Sequence, residues 1–124
     1  MTSTRIFIAL GALNALLAVA AGALGAHMFK NISPAQQAWF HTATLYHMFH
    51  ALGLLAIAAL AAVRPRSALV SGAGVLMLVG IAAFCGSLYY GAITGAPGAT
   101  SLAPYGGVAF MLAWILVALS SIKA

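Results

Sequence analysis

The chain contains no aspartate and no glutamate in 124 residues. With 65% of its residues hydrophobic and only five Lys or Arg, it cannot dress a globule of this size for water. The solvent it requires is mostly lipid. The missing carboxylates also exclude chemistry: there is no Asp/Glu proton relay, no carboxylate cage for a hard cation, no Glu general base, and no buried acid for a Lys or Arg. Five basic residues scattered among apolar runs form no stripe for nucleic acid, so membrane lipids with anionic headgroups are the expected counter-charge. Cys85 is the single cysteine and says nothing of redox compartment.

A transmembrane helix takes roughly 20 apolar residues, so four spans nearly exhaust the chain. The expectation is an all-α integral membrane four-helix bundle, one domain over 1–124, running up-down-up-down. Residues 6–26 are apolar apart from Asn14 and fit the first span. A lone Arg5 before them resembles the start of a cleaved signal, but the stretch exceeds the usual ~7–15-residue signal core. Gly11, Ala15, Ala18, Gly22 and Ala26 recur at three- or four-residue spacing and make a stripe that another helix can approach closely.

Ser33-Pro34 reads as a helix cap followed by proline at the first helical position, and no breaker follows until Arg64-Pro65-Arg66. That is about 45 Å of helix against a hydrocarbon core of about 30 Å. Residues 34–43 are therefore expected at the interface and 44–63 in the membrane. Further spans are expected over 69–92 and 104–122, with the Gly-, Pro- and Thr-rich Thr94–Ser101 as an uncharged loop. Arg5, Arg64, Arg66 and Lys123 then share one side and Lys30 the other, which puts both termini in the cytoplasm by the positive-inside rule.

Placing polar side chains by helical rise concentrates them near the outer face. His27, His47, His50, Cys85, Ser87, Tyr89 and Tyr90 fall there, as do Pro104, Gly106 and Gly107 at the start of the fourth helix. Asn14 stands apart in the cytoplasmic half and reads as an interhelical hydrogen bond. His50 shares a ridge with Thr42 and Tyr46 at i, i+4, i+8 spacing. A neutral imidazole in hydrocarbon needs both a donor and an acceptor. Two readings stand for it: a functional intramembrane group, or a bundle-fixing hydrogen bond to the Tyr or Ser of helix three.

Other chemistry is open on weaker patterns. His27-Met28, His47-Met48 and Cys85 suggest soft ligands for copper or imidazoles for haem, although no Cys-x-x-Cys or Met-x-x-Met array exists. The N-termini of helices two and four, with Lys30 and Gly106-Gly107 nearby, suit a phosphate or small anion. Against that, caps from Ser33, Thr100 or Ser101 would leave them facing water only. Cys85 or Ser87 meeting a histidine would make a nucleophile, but no acid orients the imidazole, and Cys85 reads as a small buried hydrophobe.

Four motifs in order carry a resemblance. Gly22-Ala23-Leu24-Gly25-Ala26-His27, Tyr46-x-x-x-His50-Ala51, Gly86-Ser87-Leu88-Tyr89, and Pro104-x-Gly106-Gly107 with Trp114 resemble the YgdD/YwdK-type family of small bacterial membrane proteins. That family is classed as a domain of unknown function and has a eukaryotic transmembrane relative. The resemblance spans essentially the whole chain and implies a four-span, multi-pass protein of the bacterial inner membrane with no established activity. It singles out His27, Tyr46, His50, Gly86, Ser87, Tyr89, Pro104, Gly106 and Gly107. His47, Cys85 and Ala103 depart from its pattern of Gln, Ser and Thr, which weakens a ligand role for His47 or Cys85.

The expected function is a non-enzymatic accessory or lipid-interacting protein that self-associates through small-residue faces and carries a His27, Tyr46, His50, Ser87 and Tyr89 cluster beneath the outer surface. One alternative is a metal or haem carrier using His27 and His50. Another is a small oligomeric transporter or channel, which would need a polar stripe continuing to the cytoplasmic face.

Overall fold

A computed structural model describes residues 2–122. Its helices are α1 (Ser3–Met28), α2 (Pro34–Val63), α3 (Ala68–Thr94) and α4 (Ala103–Ser120), and each is long and apolar enough to cross a membrane. Lys123, counted in the charge bias, lies outside the described residues.

Local chemistry sets the ends. The Thr2 hydroxyl accepts the Arg5 N–H at 3.3 Å and starts α1. Ser33 caps α2 as its Ser-Pro pair predicts, and Gln36 completes a reciprocal box by accepting the Ser33 N–H at 3.1 Å. The same Gln36 donates Nε2–H to the Ala92 carbonyl at 3.0 Å, tying the start of α2 to the end of α3. Gly95 ends α3 at φ 62, a left-handed conformation for which glycine has no steric cost.

The start of α4 departs from expectation. Neither Thr100 nor Ser101 caps it: Leu102 holds the cap position without a side-chain bond, and Ala103 and Gly106 donate N–H to the Thr100 and Leu102 carbonyls at 3.1 Å. Pro104 has no N–H to satisfy, so less remains for a side chain to do. α4 ends at Ser120, where the Ser120 and Ser121 hydroxyls turn back to the Val117 and Ala118 carbonyls at 2.6 Å.

Periodicity did not reveal a π-helical turn over Ile81–Cys85 in α3, closed by the Gly86 N–H donating to the Ile81 carbonyl five residues back. There α4 comes so near that a Cβ on Gly106 would strike the Phe84 backbone nitrogen. Gly106 is thus required by packing, whereas Gly107 has room for a methyl, its nearest neighbour lying at 3.8 Å.

Each helix packs mainly on its neighbour in sequence, α1 on α2, α2 on α3 and α3 on α4. Leu54, Ile57, Val70, Met77 and Cys85 are fully buried between α2 and α3, so Cys85 is a core residue. A recurrent joint pairs a phenylalanine with a glycine on the adjoining surface. Phe7 of α1 lies on Gly74 of α3, Phe40 of α2 on Gly25 of α1, Phe84 of α3 on Gly106 of α4, and Phe110 of α4 on Gly80 of α3. A glycine inside a helix costs about 1 kcal/mol relative to alanine. In lipid, where apolar burial no longer drives helices together, close dispersion contact is what offsets that cost. The small-residue stripe of α1 works the same way. Gly11 faces Leu55 of α2 and Ala18 is buried, while Gly22 and Ala26 remain exposed.

Candidate functional site: two histidine clamps

His47 and His50 are both buried, one helical turn apart on α2, and they reach different neighbours. His47 joins α1 and α3. Its Nδ1 lies 3.0 Å from the Tyr89 hydroxyl and its Nε2 3.0 Å from Asn14 Oδ1. Asn14 donates an amide N–H from Nδ2 to the Leu10 carbonyl at 2.8 Å, which leaves its Oδ1, an acceptor only, facing His47. The network therefore assigns the tautomer: His47 donates from Nε2 to Asn14 and accepts at Nδ1 from the Tyr89 O–H.

His50 joins α4. Its Nδ1 donates to the Tyr46 carbonyl at 2.7 Å, and its Nε2 accepts the Trp114 indole N–H at 3.1 Å. Since an indole only donates and a carbonyl only accepts, this imidazole carries its proton on Nδ1, opposite to His47. Its ring also stacks on Phe110 with centroids 3.5 Å apart and planes 14° from parallel. Phe84 stands edge-on to Phe110 at 5.7 Å, and Tyr46 lies against Phe84 at 4.8 Å. The π turn thus feeds directly into this aromatic stack.

These contacts regroup the expected cluster. Tyr89 and His50 belong to separate clamps, and His50 bonds to Trp114 of α4 rather than to the Tyr or Ser of α3. Ser87 donates to the Phe84 carbonyl of its own helix at 3.2 Å. Tyr46 contributes its carbonyl and its ring, the side chain being 40% exposed. His27 is exposed on α1, and Pro104 is exposed at the first turn of α4. Gly106 shapes the Phe84 contact.

Asn14 makes the interhelical hydrogen bond that its place in an apolar run suggests. The sequence does not give its partner, His47, whose departure from the family pattern weakens a ligand role, nor the part of Trp114, which enters only as a motif residue. Counting rise per residue places backbones and omits the reach of two side chains that meet across the α1–α2 seam. The available signal was solvation: an amide inside an apolar run and an indole N–H at membrane depth each require a partner.

All four imidazole nitrogens of His47 and His50 are engaged, and no three His, Cys, Asp or Glu side chains converge among the described residues. Beside the His47 clamp lies a groove of about 340 Å³ between α1, α2 and α3, lined by Leu17, Leu24, Phe29, Phe40 and Ile93 together with His47 and Tyr89.

A family model described as "Protein of unknown function (DUF423)" matches residues 21–107. The chain is 45% identical over 121 residues to the UPF0382 membrane protein YwdK of Bacillus subtilis strain 168, covering 96% of this chain and 98% of that protein. It is 40% identical over 120 residues to the UPF0382 membrane protein SSP2132 of Staphylococcus saprophyticus, covering 96% and 98% respectively. A UPF0382 membrane protein of Staphylococcus epidermidis strain ATCC 12228 is 39% identical over 120 residues, covering 96% and 97%. No solved structure matches the chain significantly. Four apolar helices and these full-length matches agree, and the chain belongs to the DUF423/UPF0382 family of small, multi-pass bacterial membrane proteins.

Proposed function

We propose that this protein is a non-enzymatic, lipid-interacting accessory protein of the bacterial inner membrane, with α1 to α4 running up-down-up-down and both termini cytoplasmic. The observation that carries the reading is the internal pairing of both buried imidazoles. A general base or a metal ligand needs a free lone pair, and His47 and His50 spend theirs on Tyr89 and Trp114. The outer half offers shape instead. Its groove of about 340 Å³ has almost wholly apolar walls and suits an acyl chain, with His47 and Tyr89 of the clamp among its lining. The topology draws support from the order of contacts, since Gly11 meets Leu55 and Gly25 meets Phe40. It also draws on Arg5, Arg64 and Arg66 falling opposite Lys30.

Native mass spectrometry of the detergent-purified protein, with elemental analysis and an absorption spectrum on the same sample, tests this. A retained lipid that Leu17→Trp and Leu24→Trp displace is the expected result. Stoichiometric metal or haem that disappears in His47→Leu or His50→Ala would overturn it. For topology, in a Cys85→Ser background, a membrane-impermeant maleimide should label Ser101→Cys in intact cells and Thr2→Cys only after the membrane is opened. The reverse pattern would invert the assignment.

A further inference from the structure

We infer that the Arg64-Pro65-Arg66 turn is a binding site for the phosphate of an anionic phospholipid, at the opposite end of the bundle from the groove described above. The turn joins α2 to α3 and borders a cleft of about 760 Å³ lined by Val63, Arg64, Arg66, Ser67 and Leu69 among others. Arg64 Nη1 is shut off from solvent and has no hydrogen-bond partner among the described residues. An ionised guanidinium N–H that is buried without an acceptor is unfavourable, so the position calls for an oxyanion. The chain has no Asp or Glu side chain to supply one. Two nearby acceptors each already take a backbone N–H: the Ser67 hydroxyl that of Val70 at 3.3 Å, and the Arg64 carbonyl that of Ser67 at 3.1 Å.

Phosphate matches this demand, because the guanidinium fork presents paired donors to its oxygens and Arg66 adds a second cation two residues on. The rest of the lining decides between a lipid and a free anion. Val63, Pro65, Ala68 and Leu69 are apolar, and Val63 is 74% exposed. Inorganic phosphate gains nothing from such walls, whereas the glycerol and first methylenes of a phospholipid lie along them. Lys30, at the other end, is exposed and serves as a control.

The test is native mass spectrometry of the full chain released from nanodiscs of phosphatidylcholine and phosphatidylglycerol. Wild type should retain one phosphatidylglycerol selectively. Arg64→Gln should weaken retention about 10-fold, and Arg64→Lys about 3-fold because the charge stays while the fork is lost. Arg66→Gln should weaken it several-fold, which keeps the site testable if Arg64→Gln perturbs the bundle. Lys30→Gln should match wild type. Equal retention by wild type, Arg64→Gln and Arg66→Gln would overturn the site. So would a thermal-midpoint rise in delipidated protein as large with inorganic phosphate as with phosphatidylglycerol, since the occupant would then be a free anion.

Discussion

His47 and His50 are the same residue type on adjacent turns of one helix, yet they hold the bundle by different means. His47 is a polar crosslink, a neutral ring between an amide on α1 and a phenol on α3. His50 is chiefly an aromatic one. It bonds to the Trp114 indole, but its ring also lies flat on Phe110, and beyond Phe110 the packing continues through Phe84 to Gly106. Interhelical hydrogen bonds in membranes contribute only about 0.6 kcal/mol on average, because a polar group separated from its partner in lipid finds another. Lost ring packing has no such substitute. The aromatic clamp should therefore be the stronger, despite engaging fewer helices.

The largest expected effect follows from that asymmetry. His50→Ala should cost about 3 kcal/mol, combining a cavity beside Phe110 with an unaccepted Trp114 N–H. It should appear as a lower unfolding midpoint in detergent and a shifted Trp114 emission. Gly106→Ala extends the comparison to the far end of the same stack. Its new methyl meets the Phe84 backbone, which cannot turn aside as a side chain would, and the loss should be about 2 kcal/mol. Gly107→Ala, one residue on, should be neutral or stabilising by up to about 1 kcal/mol. If the two alanine variants behaved alike, the close approach at the π turn would be wrong.

The polar clamp should break more gently. His47→Leu strands Asn14 and Tyr89 and should cost about 1–1.5 kcal/mol. His47→Gln should cost less than about 0.5 kcal/mol, since an amide also offers one acceptor and one donor. A cycle of Asn14→Leu and His47→Leu should be non-additive, and full additivity would mean that their hydrogen bond contributes nothing. The smallest effect belongs to His41→Ala. That histidine is exposed on α2, and its loss should stay within about 0.5 kcal/mol. A His41→Ala loss equal to that of His50→Ala would dissolve the distinction between clamp and surface histidine.

The helices were largely legible in the sequence because their causes are local. Ser33-Pro34 starts α2 where its chemistry predicts, and Arg64-Pro65-Arg66 ends it. The π turn was not legible, since Ile81 to Cys85 is an ordinary apolar run and the extra residue in the turn accompanies the approach of α4 at Gly106. The candidate site was legible only as an inventory. Placing polar residues by depth gathered Tyr89, His47 and His50 at one level. It could not tell which neighbour each ring addresses, because i and i+3 positions lie about 60° apart around a helix and that angle is enough to change partners.

An all-α chain of apolar spans without a single Asp or Glu had to be a membrane bundle whatever its contacts, since only helices satisfy their own backbone in lipid and depth follows from rise per residue. Which polar groups meet was decided by the tertiary structure alone. Partner choice depends on the rotation of each helix about its axis, and that rotation is set by which phenylalanine finds which glycine, a relation between residues as far apart as Phe7 and Gly74 that no local pattern encodes.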